Sequence, residues 1–402
     1  MFRFFLAFFA SLLVVGSGYS QPAYLESYFQ ALNSVNEKRF SEAHDFIKQS
    51  KAHGLPELDS YLFLGNLYLE KGSLDEAETN FRLADALKPG IGSYGLAKVC
   101  ALTQRDSIAC IWLLRSLNSP YILSQSVYLR DNALTRLESS LYWRNLWNGD
   151  YYSKNDQFEA DLDYLVSKEN YGEALDLLNE KGAKHRLPHR QQAILARIYY
   201  LQQSYSASVE NYSQAIKRSS RNSDYLSGRA KGYLMVGKFG KALDDIQQAL
   251  DLDHLNPEFY FIKAKANAGI GNADQSRSDF NLFLKAYGDH PDAIFEYVEL
   301  LQQGGFNMEA LRQINRCILL KTDVAKYYLA RATIYMKTNS YKYAVDDYAM
   351  VLDLDPPKAS IYLQKGYARS AMGDEHGACI DFRKAASMGN LDAQSMVARN
   401  CR

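Results

Sequence analysis

Apolar and small residues recur along this chain at fixed spacing. One row of small residues stands at Ala174, Ser208, Ala242, Ser276, Ala310, Ala344 and Ala378, each 34 after the last. Upstream, Ala43 and Ala77 are also 34 apart, and Ala109 follows at 32. Other rows keep the same phase. Twelve residues before the small row stand Gly65, Ala196, Ala230, Ala264, Val298, Ala332 and Gly366; nine before it stand Tyr68, Tyr199, Tyr233 and Tyr335. Four after it stand Phe81, Tyr212, Ile246, Phe280, Ile314, Tyr348 and Phe382. Apolar positions at i, i+3, i+4 and i+7 make one face of a helix. Breakers punctuate the rows: Gly72, Gly237, Gly271, Gly305 and Gly373 at mid-unit, with Pro89, Pro257, Pro291 and Pro356 between units. Each unit is therefore predicted to be a helical hairpin that cannot bury its apolar face alone, and stacking such hairpins buries a continuous core.

The pattern resembles the tetratricopeptide repeat. It is fullest over Leu58 to Pro89, where Tyr61, Leu64, Gly65, Tyr68, Ala77, Phe81, Ala84 and Pro89 occupy the family's places. The resemblance implies an all-α superhelical solenoid of about ten hairpins. It places three repeats in residues 21–117, an aperiodic connector at 118–154, seven repeats at 155–392 and a capping helix at 393–402. Asn267 and Arg369 stand in the tyrosine row, so their hairpins are expected to pack less tightly. The connector holds Trp143 and Trp147 with Tyr142, Tyr151 and Tyr152. These aromatics suit either a degenerate helical pair that buries them or a docking surface; burial is the expectation.

Residues 1–20 read differently. Arg3 precedes an apolar run from Phe4 to Val15, and Gly18-Tyr19-Ser20 offers small residues before Gln21. That is the layout of a secretory signal peptide, too short to span a bilayer. Export to a periplasm or cell envelope is the expectation, with no membrane span in the mature chain. Signal and repeats together resemble exported tetratricopeptide proteins of Gram-negative bacteria such as Bacteroidota.

Charge divides into a structural row and a candidate binding row. Arg229, Lys263, Arg331 and Lys365 on first helices each meet an acid sixteen residues later: Asp245, Asp279, Asp347 and Asp381. The acid occurs where the base occurs, so each pair is read as a clasp closing one hairpin; if exposed, each contributes only about 0–1 kcal/mol. Eleven residues before the small row stand Arg197, Lys231, Lys265, Glu299, Thr333 and Tyr367, in a phase that lines the concave face of the resembled fold; the first three are successive bases. With Arg190 they form a basic ladder suited to an acidic peptide segment, and Phe261 and Phe295 add an apolar patch beside it. The family's carboxylate clamp is not reproduced by Leu62 with Asn66.

The remaining chemistry is sparse. Lys plus Arg and Asp plus Glu both total 46, which argues against a nucleic-acid binder. Cys100 and Cys110 lie symmetrically about one turn and Cys379 and Cys401 about another, so two disulfides are candidates in an exported chain; Cys317 sits in an alanine row as core. Gly90 to Gly95 matches G-x-G-x-x-G, but it follows a helix end rather than a strand. No metal set, cofactor motif or nucleophile with its base is found. The expectation is a non-enzymatic scaffold that holds a protein or peptide partner in its groove, with a periplasmic chaperone or assembly factor as the alternative.

Overall fold

The computed structural model describes residues 22–184 and 186–401, so the signal peptide expected at residues 1–20 lies outside the described residues. They form 23 α-helices and a single 3-10 turn, with no strand. Two compact units divide at Lys168 and Glu169.

The first unit holds three hairpins: α1 (Tyr24–Asn36) with α2 (Phe40–Ala52), α3 (Glu57–Lys71) with α4 (Leu74–Leu87), and α5 (Ser93–Leu102) with α6 (Asp106–Leu117). Short elements follow: α7 (Gln125–Arg130), the 3-10 turn Thr135–Ser139, α8 (Leu141–Trp147) and α9 (Lys154–Ser167). The second unit opens on α10 (Tyr171–Lys184). Six hairpins follow it: α11 (His189–Leu201) with α12 (Tyr205–Ile216), α13 (Ser223–Met235) with α14 (Phe239–Leu252), α15 (Pro257–Gly269) with α16 (Ala273–Tyr287), α17 (Pro291–Gln303) with α18 (Asn307–Leu320), α19 (Ala325–Lys337) with α20 (Tyr341–Leu354), and α21 (Ala359–Ala371) with α22 (Glu375–Ser387). A last helix, α23 (Leu391–Asn400), covers α22. The sequence period groups α9 with the later hairpins, whereas by compactness it falls in the first unit; it carries Leu162 where other first helices have Gly, Ala or Val.

Every member of the small row is fully buried. The reason is visible at Gly65, where an added Cβ would stand 2.7 Å from the Phe81 ring. Small residues let the two helices approach, and the aromatic four residues beyond the row fills the space beside them. The turns between helices keep the period in the backbone itself. Lys38, Gly72, Gln104, Glu169, Gln203, Gly237, Gly271, Gly305, Asn339 and Gly373 are all left-handed, with φ between 57° and 82°. In most of them the next N–H returns to a carbonyl five residues back, as from Ser73 to Tyr68, Lys238 to Tyr233 and Ser340 to Tyr335, a Schellman closure. Five of these positions are not glycine, so glycine spacing alone under-reports the turn.

The connector is less regular than a helical pair, but it buries its aromatics. Tyr128 is fully buried and Trp143 nearly so. Edge-to-face contacts run from Tyr94 to Tyr128, on to Trp147, and from Trp147 to both Trp143 and Tyr151. Two of the tyrosine tips are held: Tyr128 Oη lies 2.9 Å from Ser116 Oγ, and Tyr94 donates to Asp131, whereas the Trp147 indole N–H is buried without a partner among the described residues.

Cys379 and Cys401 are joined, pinning α23 to α22. Cys100 and Cys110 are free and buried, which corrects the second candidate disulfide. Ala109 holds the crossing position of α6, and a neighbouring residue is turned about 100° away from it, so symmetry about the turn does not by itself bring Cys110 onto Cys100. Burial pushes the Cys110 and Cys317 thiols up to about 11, and raises Cys100 as well.

A charged groove on the first helices

The clasp row forms inside its hairpins, and its acids are buried rather than exposed. Asp245, Asp279, Asp347 and Asp381 are each at most 3% accessible. Two geometries occur. Arg229 grips Asp245 through Nε and Nη2, both at 2.7 Å, and Arg331 grips Asp347 at 2.8 and 2.7 Å. Their guanidinium groups lie over Tyr233 and Tyr335 of the tyrosine row. A lysine cannot form that fork. Lys263 stands 3.7 Å from Asp279 and Lys365 3.4 Å from Asp381. There the tyrosine-row position supplies the missing partner: Asn267 donates to Asp279 at 2.9 Å, and Arg369 pairs with Asp381 at 2.9 Å. Asn267 and Arg369 are therefore second halves of a lysine clasp, which corrects the expectation of loose packing. Burial still raises the Asp347 and Asp381 carboxyls, against the pull of their cations.

The false dinucleotide motif has a similar explanation. A Cβ on Gly92 would stand 2.2 Å from the Phe81 carbonyl oxygen, and one on Gly95 2.5 Å from the Phe81 ring. Buried Asp85 accepts from Gly90 N at 2.9 Å and Ser93 Oγ at 3.2 Å, and pairs with Arg115 at 2.7 Å. The glycines serve packing of one hairpin on the next.

The candidate groove is lined by first helices of the second unit, where α13 packs beside both α11 and α15. Arg190 and Arg197 on α11 and Lys231 on α13 are exposed. Lys231 has no carboxylate partner among the described residues. Lys265 on α15 differs: its ammonium lies 2.7 Å from Glu296 of α17 and 4.3 Å from the centroid of the Phe261 ring. Phe261 is half-buried, packed on Phe280 and Phe283. Phe295 repeats the arrangement one hairpin on. It packs on Tyr327, and Lys326 lies over its ring while reaching Asp292 at 3.1 Å. The two phenylalanines are thus covered by lysines and do not form a bare patch.

Glu296, Lys326 and Asp292 were not singled out from the sequence. The signal was present: Asp292 and Lys326 are 34 apart with opposite charge, and Glu296 follows Lys265 by one period less one helical turn. The Lys326 hydrogen bond holds the Asp292 carboxyl below its ordinary value. Tyr200 on α11 has its phenol raised by burial, with Tyr205 and Glu296 adding to the effect.

On the first unit, an open cleft of about 440 Å³ is lined by Pro89, Ile111, Leu114, Arg115 and Pro120. Among the described residues no cluster of His, Cys, Asp and Glu could hold a metal ion, and no helix is long and apolar enough to cross a membrane.

Family models described as tetratricopeptide repeat match residues 58–91 and 227–291. The chain carries tetratricopeptide repeats. In tetratricopeptide proteins such hairpins typically engage other proteins, and the all-helical hairpin stack agrees with that fold. The chain is 29% identical over 101 residues to serine/threonine-protein phosphatase 5 of Rattus norvegicus, a match spanning 25% of this chain and 20% of the relative. It is 21% identical over 204 residues to the Hsp70-Hsp90 organizing protein of Triticum aestivum, spanning 42% and 35%. A tetratricopeptide repeat protein from Parabacteroides merdae superposes with a TM-score of 0.46 at 21% identity, covering 61% of this chain and 98% of that one. The chain thus spans about a fifth of the phosphatase it resembles.

Proposed function

We propose that this protein is a non-enzymatic interaction scaffold of the bacterial cell envelope, which holds a peptide or protein segment against the first helices of its second unit. The observation that carries the reading is that Arg197, Lys231 and Lys265 share one phase of three neighbouring first helices, the phase that lines the concave face in the resembled fold. Concave walls lined by one sign of charge focus the field and favour ligands of the other sign. Export is supported by the leader pattern of residues 1–20 and by the joined Cys379 and Cys401, since disulfides persist in oxidising compartments.

The test is crosslinking and affinity purification of the tagged full chain from its native envelope, wild type beside a variant with Arg197, Lys231 and Lys265 changed to Glu. One or two proteins lost only from the variant is the expected result. The same partners from both would move the binding surface elsewhere, first to the cleft beside Ile111 and Leu114. A broad set of extended apolar clients from both would favour a chaperone or assembly factor.

A further inference from the structure

We propose that Glu296 is a built-in competitor of the groove: its carboxylate occupies, on Lys265, the seat that an acidic residue of the bound segment takes. The inference rests on the groove reading above and names the ligand chemistry of that site, an extended segment carrying a carboxylate.

Three observations lead to it. Lys231 and Lys265 hold the same phase on packed neighbours α13 and α15, yet only Lys265 is bridged by a carboxylate from another hairpin. The bridge is open to solvent, with both side chains 42% accessible, unlike the clasp pairs whose acids are buried. Exposed pairs contribute little, so one carboxylate can replace another there at small cost. The Lys265 ammonium is also steadied over the Phe261 ring at 4.3 Å, a contact that survives when Glu296 leaves. The seat is thus positioned by Phe261 and filled by Glu296. Lys231, one hairpin away, offers the incoming segment a second cation.

The exchange is read with a fluorescein-labelled peptide of four glutamates followed by phenylalanine, titrated by anisotropy at low salt into the full chain. The matching peptide with four glutamines is the control. Glu296→Gln is expected to tighten the acidic peptide about fivefold, the change that removing a weak exposed pair allows, and to leave the glutamine peptide unmoved. Lys265→Met should erase that gain when combined with Glu296→Gln. Glu299→Gln removes the same charge one turn along α17, and should give less than half the effect. Circular dichroism melts of the variants should superpose on wild type, because the bridge is exposed. Equal tightening by Glu299→Gln would overturn the proposal, reducing it to net charge. So would unchanged or weaker binding by Glu296→Gln, or no binding of the acidic peptide by any variant. In that last case the crosslinked partners decide whether the groove reading falls too: partners still lost on changing the ladder leave it standing without the exchange.

Discussion

The two units place their buried acids on opposite sides of the same problem. In the second unit Asp245, Asp279, Asp347 and Asp381 each bind a base sixteen residues earlier, on the other helix of their own hairpin. In the first unit the buried Asp85 on α4 binds Arg115 on α6 and the turn between hairpins. One arrangement closes a hairpin; the other ties one hairpin to the next. The stability of a repeat array is a sum of intrinsic repeat terms and neighbour interface terms. The second unit invests its buried charge in the former and the first unit in the latter.

The largest effect that tests this contrast is loss of a clasp acid. Asp347→Ala strands Arg331 against a half-buried site, and is expected to remove about 3–5 kcal/mol in urea denaturation. Amide exchange should quicken in α19 and α20 more than in the flanking hairpins. Changing both partners to apolar residues should restore much of the loss. Asp85→Ala comes next, at roughly 1–3 kcal/mol, since it leaves the buried Gly90 N–H and Ser93 hydroxyl unmet. Its exchange signature should spread across α4, α5 and α6 together. A loss confined to α4 would erase the contrast between the units. The smallest effect is a gain. Gln203 and Gln104 sit left-handed at hairpin turns with φ of 61° and 63°, and glycine at either should stabilise its own unit by about 0.5–1 kcal/mol. Asn339→Gly should gain less, because asparagine tolerates that conformation.

What was legible in the sequence is what a fixed period can carry. The small row, the tyrosine row and the sixteen-residue clasps repeat, so one hairpin explains the others. Contacts between hairpins are harder to see. Glu296 on Lys265 and Arg115 on Asp85 join different repeats at offsets that depend on how helices are rotated when stacked, and no single row reports that. The turn at Gln104 or Gln203 escaped for another reason: the left-handed residue is fixed by hairpin closure, and the closure tolerates a side chain at modest cost. Cys100 and Cys110 misled because symmetry about a turn fixes height along the helices but not rotation about them. Asn267 and Arg369 looked like lapses from the tyrosine row because their partners, Asp279 and Asp381, were already assigned to lysines.

The joined pair at the C-terminal end has a consequence for how the molecule comes apart. Cys379 and Cys401 close a loop 22 residues apart in sequence at the end of the stack. The covalent loop keeps residues 379 and 401 together in the unfolded chain as well, so α22 and α23 refold from a smaller ensemble, and reduction lifts that restriction.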